Sequence, residues 1–457
     1  PERNAARGIA SMIAPARRVA YAILLRMDST DAHSDELLRS PEVDGLSAQD
    51  RALATTLVLG TLRWQLSLDE QIRPLLVRPG ARLKPEVATA LRMSVYQLRY
   101  LDRVPAHAVI HDGVELVKES RERGAAGLVN AVLRKIAASR PAKSPAQFTT
   151  PQEIAAAFAH PQWMVERWAH HYGLAITEAI CRWDQEPAGA TLRLGGPEAA
   201  VPGVELAPGT FLTHARRVMS GDAGRSEAVR GGRVRIQDEA SQLVAEIAVA
   251  AAAGAQRVLD TCAAPGGKMA ILADQLPHAA ITAVDVSRKR LDSMKRLLSA
   301  QKYQRLRFEI ADAAKLQLKP EFGLILCDVP CSGTGTMQRN PEIRVRLSEL
   351  DLARQQKRQA AILQAALAGL APGGVLVYST CSLEPEENET VIERVINKVD
   401  GFTLQPVRPV LDQLTQRGVV TAAGRVLLES AVKGLFLHTI PGVHPCDGFF
   451  AAILARV

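Results

Sequence analysis

The sequence predicts an all-helical domain, a small α+β connecting unit and a doubly wound α/β domain, in that order. Three observations carry this. Apolar residues recur at three and four spacing from 15 to 140, the stretch 187–235 combines Gly and Pro with short apolar runs, and from Arg257 short apolar strands alternate with helices. The 457 residues are too many for one ordinary core. The boundaries are expected at 1–142, 143–235 and 236–457.

In the first domain, 16–27, 48–62, 66–77, 85–100, 106–121 and 125–138 carry helical periodicity. Pro85 and Pro105 sit at helix starts, and Gly124 separates the last two helices. The stretch 140–151, with Pro141, Pro145 and Pro151 among small polar residues, reads as a linker. Residues 152–186 are helical in pattern again and contain Trp163, Trp168 and Trp183. In the last domain, strands are expected at 257–260, 280–285, 306–310, 324–327 and 374–378, with helices at 269–275, 287–300 and 352–370. Two apolar runs in the tail, 435–440 and 448–454, suggest an antiparallel pair at one edge of the sheet.

Composition narrows the class. Hydrophobic residues make up 47% and charged residues 23%, the balance of a globular protein rather than a disordered one. Aromatic residues, at 4%, are too sparse for a broad base-stacking platform. The net charge is +8, and residues 1–145 hold 22 Lys and Arg against 16 Asp and Glu, so most of the excess lies at the front. That suits a module gripping a phosphate backbone, with solubility as the alternative reading. Six cysteines without a paired framework suggest a reducing compartment, and the lack of any C-x-x-C argues against a structural metal. The apolar run 19–25 behind Arg17-Arg18 is broken by Arg26 and followed by no cleavage site, so it reads as an amphipathic helix. No apolar stretch reaches the ~18 residues of a bilayer span, and a cytoplasmic location is expected.

In a doubly wound sheet, ligands bind beyond the carboxyl ends of the strands. After the first strand comes Asp260-Thr261-Cys262-Ala263-Ala264-Pro265-Gly266-Gly267-Lys268, where small residues let the backbone approach a ligand ahead of a helix. A Walker A loop would need Gly at Cys262 and Ser or Thr at Met269, and no G-x-G-x-x-G occurs here, so a nucleoside cofactor without a phosphate chain fits better. Asp285 ends the second strand, where a carboxylate can accept from both ribose hydroxyls, and Asp312 follows the third, within reach of an adenine amino group. Either alone reads more readily as a helix cap or a solvated loop residue, but together, at strand ends of one sheet, they favour adenosine binding.

The fourth strand runs into Asp328-Val329-Pro330-Cys331-Ser332-Gly333-Thr334-Gly335 and the fifth into Tyr378-Ser379-Thr380-Cys381-Ser382, so two thiols meet at one crevice. Cytosine C5 is too weak a nucleophile to take a methyl group directly. A thiolate added at C6 makes the ring an enamine whose C5 can attack an electrophilic methyl. Cys181, Cys327 and Cys446 read as inert buried residues and Cys262 as small packing within its loop.

Together, the motifs at 260–268, 328–335 and 378–382 resemble the RNA 5-methylcytosine methyltransferases of the Nop2/Sun (RsmB/NOP) family. Gln237-Asp238-Glu239-Ala240-Ser241-Gln242 and Asp447-Gly448-Phe449-Phe450 extend the resemblance over about 235–457. The front half resembles the NusB-like RNA-binding domain through Leu59-Gly60-Thr61-Leu62-Arg63-Trp64, Val104-Pro105-Ala106-His107 and Leu128-Val129-Asn130-Ala131-Val132-Leu133-Arg134. A NusB-like domain fused to this catalytic domain is similar to the members of that family that modify cytosine C5 in bacterial small-subunit (16S) ribosomal RNA. The stretch 187–235 departs from the pattern and looks shorter than the family's connecting unit.

The resemblance implies a class I, Rossmann-like methyltransferase domain with S-adenosylmethionine as cofactor. Its binding residues would be Cys262, Ala263, Ala264, Pro265, Gly266, Gly267, Lys268, Asp285, Asp312 and Asp328. It further implies that Cys381 bonds to C6 and that Cys331 helps release the product. Asp328 is placed to bond the cytosine N3, and Lys268 to orient the base or lower a thiol pKa. Glu384, Glu386, Glu387 and Glu389 read as complements of a helix dipole, and Asn388 as packing for the Cys381 loop. Arg339 and Arg344 suit RNA phosphate or a solvated, salt-bridged position equally. Transfer RNA or 23S ribosomal RNA as substrate, and an RNA-binding assembly factor, are the competing readings.

Overall fold

The computed structural model describes residues 13–78, 80, 82–139, 146–195, 201–298 and 305–457. The linker expected at 140–151 and the helix expected at 287–300 lie partly outside these residues. The chain divides into two compact units, Pro1–Glu186 with Met337–Arg346, and Pro187–Thr336 with Leu347–Val457.

The first unit is helical. It contains α1 (Pro15–Ser29), α2 (Ala48–Ile72), α3 (Pro85–Tyr100), α4 (Ala106–Glu119) and α5 (Ala126–Ala138). Their apolar faces close on Leu57, Val58, Leu91, Met93, Val117 and Leu133, all fully buried. Where periodicity predicts helices at 48–62 and 66–77, the structure has the single long α2. No Pro or Gly lies between Thr61 and Ile72 to break it, and Gly60 serves packing instead, since a Cβ there would overlap the Tyr96 ring. Arg17 is buried and satisfied by Asp112 at 2.8 Å and by Gln97 Oε1 at 2.6 Å. Next come α6 (Pro151–Ala157), held at its start by a Thr150–Glu153 capping box, then α7 (Gln162–Tyr172) and α8 (Leu174–Gln185).

The segment Met337–Arg346 completes this unit. Ser34 donates its backbone N–H and its hydroxyl, each at 3.0 Å, to the buried Glu342 carboxylate. Arg346 donates to the carbonyls of Met27 and Ala32 at 2.7 and 2.9 Å. Arg344 is buried and donates to the carbonyls of Arg63 and Asp184 at 2.7 and 3.4 Å. It is neither a phosphate hook nor a solvated side chain, because its guanidinium is used on backbone acceptors.

The second unit opens with β1 (Thr191–Leu194), β2 (Glu205–Pro208), β3 (Ala215–Ser220) and β4 (Val234–Ile236), a sheet of order β2-β3-β1-β4. Asp238 caps α9 (Glu239–Ala251) by accepting the Ala240 N–H. Glu239 turns back to accept the N–H groups of Thr210, Phe211 and Leu212 at 2.8, 2.5 and 2.6 Å, and burial nevertheless pushes its carboxyl up.

The main sheet contains β5 (Arg257–Asp260), β6 (Ala280–Asp285), β7 (Leu306–Ile310), β8 (Phe322–Asp328), β9 (Leu370–Thr380), β10 (Phe402–Gln405), β11 (Val432–Lys433), β12 (Phe436–Thr439) and β13 (Phe449–Arg456). Its order is β11-β12-β13-β9-β8-β5-β6-β7, with β10 pairing β13 off this path. Strands β5 to β9 pair in parallel, and β13 lies antiparallel to β9. Alternate side chains serve two cores. Val258, Leu324, Leu326 and Val377 face one cluster with α9, whereas Leu259, Ile325, Leu376 and Tyr378 face the other. A sheet covered on both faces accounts for strands that read as continuous apolar runs.

The expected tail pair is present as β12 and β13. Strand β10 is short, with Thr403 exposed and its neighbours half-buried, and it offers no apolar run to find. Among the described residues no helix is long and apolar enough to cross a membrane, and no group of three or more His, Cys, Asp or Glu side chains is set to hold a metal ion.

Candidate active site

The strand order reverses at β5, which pairs β6 on one side and β8 on the other, so a crevice opens at the carboxyl ends of these strands. Because the strands are parallel, Asp260, Asp285 and Asp328 terminate β5, β6 and β8 at the same edge as Thr380 of β9. The loop after β5 leads into α10 (Gly267–Gln275). Gly266 adopts φ 103°, and a Cβ there would meet the Met294 side chain at 2.5 Å, so the turn requires glycine. The Ala264–Pro265 peptide is cis.

Asp260 is 1% exposed, and its carboxyl is pushed up to about 7 by burial and by the neighbouring Asp328 charge. Asp285 accepts the Ser287 N–H at 2.8 Å on one oxygen and the Ala264 N–H at 3.3 Å on the other, with Arg290 at 3.7 Å. Each oxygen keeps a lone pair for a hydroxyl donor. Arg290 also donates to the Ala264 carbonyl at 2.5 Å, joining the loop to the start of α11 (Arg288–Leu298). Asp312 accepts the Ala314 N–H at 3.1 Å, with Lys315 at 3.7 Å. Carboxylates at the ends of β6 and beyond β7, beside a small-residue loop, fit a nucleoside cofactor in donor and acceptor type.

Lys268, Asp328 and Ser379 form one chain of contacts. Lys268 Nζ lies 2.7 Å from one Asp328 oxygen, and the Ser379 hydroxyl donates to the other at 2.7 Å. The ammonium also sits 4.8 Å from the centre of the Phe449 ring. Ser379 and Phe449 are site residues to which sequence reasoning gave no role, although Phe449 lies in the Asp447–Phe450 motif.

The sulfurs of Cys331 and Cys381 are 3.3 Å apart. Their contact, then burial and the Glu387 charge, push the Cys331 thiol well above its ordinary pKa. Cys262, Cys327 and Cys446 are raised chiefly by burial, Cys327 to about 12, and such thiols stay protonated. The loop carrying Cys331 is joined to the rest by backbone. Gly335 N–H donates to the Cys381 carbonyl at 2.9 Å, and Gly448 N–H to the Gly335 carbonyl at 2.7 Å.

Asn388 accepts the Thr380 hydroxyl at 2.5 Å and donates to the Ser382 carbonyl at 2.9 Å, holding the Cys381 turn as expected. Glu387 does not complement a helix dipole. It lies in the turn before α13 (Glu389–Ile396), fully buried, and accepts from Ser332, Ser382 and Gln359, the last a residue of α12 (Glu349–Ala368). A glutamate run at a helix start does not reveal which member turns inward.

A parallel core of order β9-β8-β5-β6-β7 with β13 antiparallel beside β9, and its loop chemistry gathered at one edge, fits a Rossmann-like methyltransferase domain of class I. Comparison with known proteins narrows the class. The family model described as 16S rRNA methyltransferase RsmB/F matches residues 248–455, and the NusB family model matches 14–138. A probable ribosomal RNA small subunit methyltransferase B of Bacillus subtilis is 33% identical, over 96% of this chain and 98% of its own. The ribosomal RNA small subunit methyltransferase B of Xanthomonas campestris is 32% identical, over 99% and 98%. Among solved structures, that of PH0851 superposes with a TM-score of 0.79 at 22% identity, covering 98% of this chain and 99% of that one. The chain belongs to the ribosomal RNA small subunit methyltransferase B family.

Proposed function

We propose that this protein moves the methyl group of S-adenosylmethionine to C5 of a cytosine in small-subunit (16S) ribosomal RNA, through a covalent bond from Cys381 to C6. The observation that carries the reading is the pair of thiols 3.3 Å apart beside the Lys268–Asp328 pair, at the carboxyl edge of a methyltransferase sheet. The names of the relatives support the RNA class. The cofactor would be held by the 262–268 loop with Asp285 and Asp312, and when bound it supplies an electrophilic methyl group.

The chain's own residues account for the remaining steps. The sulfur contact, burial and the Glu387 charge all favour the protonated form of Cys331, and the attacking sulfur in this scheme is that of Cys381. Addition of Cys381 to C6 pushes electrons towards N3 and O2. Asp328, fixed by Lys268 and Ser379, supports a proton at N3 and so stabilises that charge. C5, now an enamine carbon, takes the methyl. The product is freed when the C5 proton passes to a water molecule, the C5–H electron pair re-forms the C5=C6 double bond and the C6–S pair returns to the Cys381 sulfur, a release that the neighbouring Cys331 assists. The Lys268 ammonium is engaged by Asp328, so its part is to orient that carboxylate.

Incubating the protein with S-adenosylmethionine and unmodified small-subunit RNA, followed by mass spectrometry of the digested nucleosides, tests the reaction. 5-Methylcytidine is the expected product. Methylation of transfer RNA or large-subunit RNA with none on small-subunit RNA would move the substrate, and cofactor binding without methylation of any RNA would overturn the activity.

A further inference from the structure

Cys331 and Cys381 stand on different loops, 50 residues apart in sequence, and only a device that ties the loops together fixes the distance between the sulfurs. The next residues along each loop meet a single buried carboxylate. Ser332 gives Glu387 its backbone N–H at 2.9 Å and also its hydroxyl. Ser382 gives its hydroxyl at 2.5 Å. The two serine hydroxyls are themselves 3.0 Å apart. Gln359 Nε2 donates to Glu387 at 2.9 Å and to the Pro330 carbonyl at 3.0 Å, so it braces the residue on the other side of Cys331 as well.

Glu387 cannot drift. The Tyr378 hydroxyl donates to its carbonyl at 2.6 Å, and its N–H donates to the Glu384 carbonyl at 3.0 Å. A carboxylate is the suitable group because it only accepts, and two oxygens provide about four lone-pair sites for donors arriving from three elements. An amide would present two N–H groups to these donors.

We infer, resting on the two-thiol reading above, that Glu387 is the positioning residue that registers Cys331 against Cys381, by gripping Ser332 and Ser382 with one buried carboxylate. Its charge also works in the direction the two-thiol scheme needs, since it favours the protonated form of Cys331.

Formation of a disulfide by the two thiols measures their registration without reference to methylation. Diamide takes two electrons and two protons from the pair, becoming a hydrazine, and leaves an S–S bond between Cys331 and Cys381 that peptide mass spectrometry counts. The wild-type protein is expected to cross-link readily. Glu387→Gln should slow cross-linking about tenfold and lower kcat about tenfold to a hundredfold, because a misplacement on the order of 1 Å is that costly. KM for RNA should stay within about twofold, since the inferred role of the carboxylate is to set the spacing of the two thiols rather than to bind RNA. Ser382→Ala, which removes one hydroxyl, should move both readouts the same way and add little to Glu387→Gln, the two acting through one link. Should Glu387→Gln fail to fold, Ser382→Ala carries the test alone.

Cross-linking at the wild-type rate in the folded variants overturns the inference, as does a wild-type protein whose two thiols never cross-link. A wild-type protein that cross-links but makes no 5-methylcytidine contradicts the proposed reaction instead, and the cross-linking rates of the variants still decide the role of Glu387.

Discussion

Asp260 closes β5 with a carboxyl that burial and the Asp328 charge push up to about 7, against the nearby Lys268 and the Cys262 N–H, which pull it down. A raised folded-state pKa means that the associated stability is complete below the unfolded value of 3.8 and is lost as the pH rises through 7. Asp260→Asn removes this titration and keeps the acceptor for the Cys262 N–H. Its stability relative to wild type should therefore improve between pH 5 and pH 8 by on the order of 2 kcal/mol. Urea unfolding at the two pH values measures this, and a difference independent of pH would refute it. At this scale the sequence was legible wherever chemistry depends on residue type and place in a motif. Asp328, Lys268 and the two cysteines could be named from the strand ends, whereas Glu387 and Arg344 suggested other roles and Ser379 none. What distinguishes those three is which way a side chain turns, and that is decided by contacts with residues far along the chain.

Between elements, part of the site is held backbone to backbone. Gly335, behind the Cys331 loop, donates to Cys381 at the end of β9 and accepts from Gly448 at the start of β13, and a Cβ on Gly335 would run into the Gly448 backbone. Gly335→Ala should therefore cost about 1–3 kcal/mol of stability, read as a lower denaturant midpoint, because neither backbone segment can yield as a side chain would. An unchanged midpoint would mean that the loops are free to separate. Elements could be read from the sequence where burial is two-sided. Strands β5 to β9 appear as apolar runs because both faces are covered, and their positions agree with the expected ones to within a few residues. Among the elements that escape, α2 reads as two helices although nothing between Thr61 and Ile72 breaks it, and β10 lacks the apolar run that marks a strand.

For the whole molecule, several of the arginines in the first 145 residues are engaged inside the helical unit rather than offered to a partner. Arg17 pairs with Asp112, and Arg92 with Asp69 at 2.7 Å, while Arg63 is buried and donates to the carbonyls of Asp184 and Gln338 at 3.1 Å. Charge counting could not separate these arginines from ones facing solvent. Nor could it anticipate that Met337–Arg346, a few residues beyond Cys331 in sequence, belongs to the helical unit. The central claim concerns the division of work between two thiols, and the direct test is to incubate Cys331→Ala and Cys381→Ala separately with S-adenosylmethionine and small-subunit RNA and look for a protein–RNA adduct on a denaturing gel. Cys331→Ala should accumulate the adduct, because the bond to C6 forms but is not released, and Cys381→Ala should form neither adduct nor 5-methylcytidine. An adduct-free Cys331→Ala together with a Cys381→Ala that still methylates would contradict the account and reverse the roles of the two cysteines.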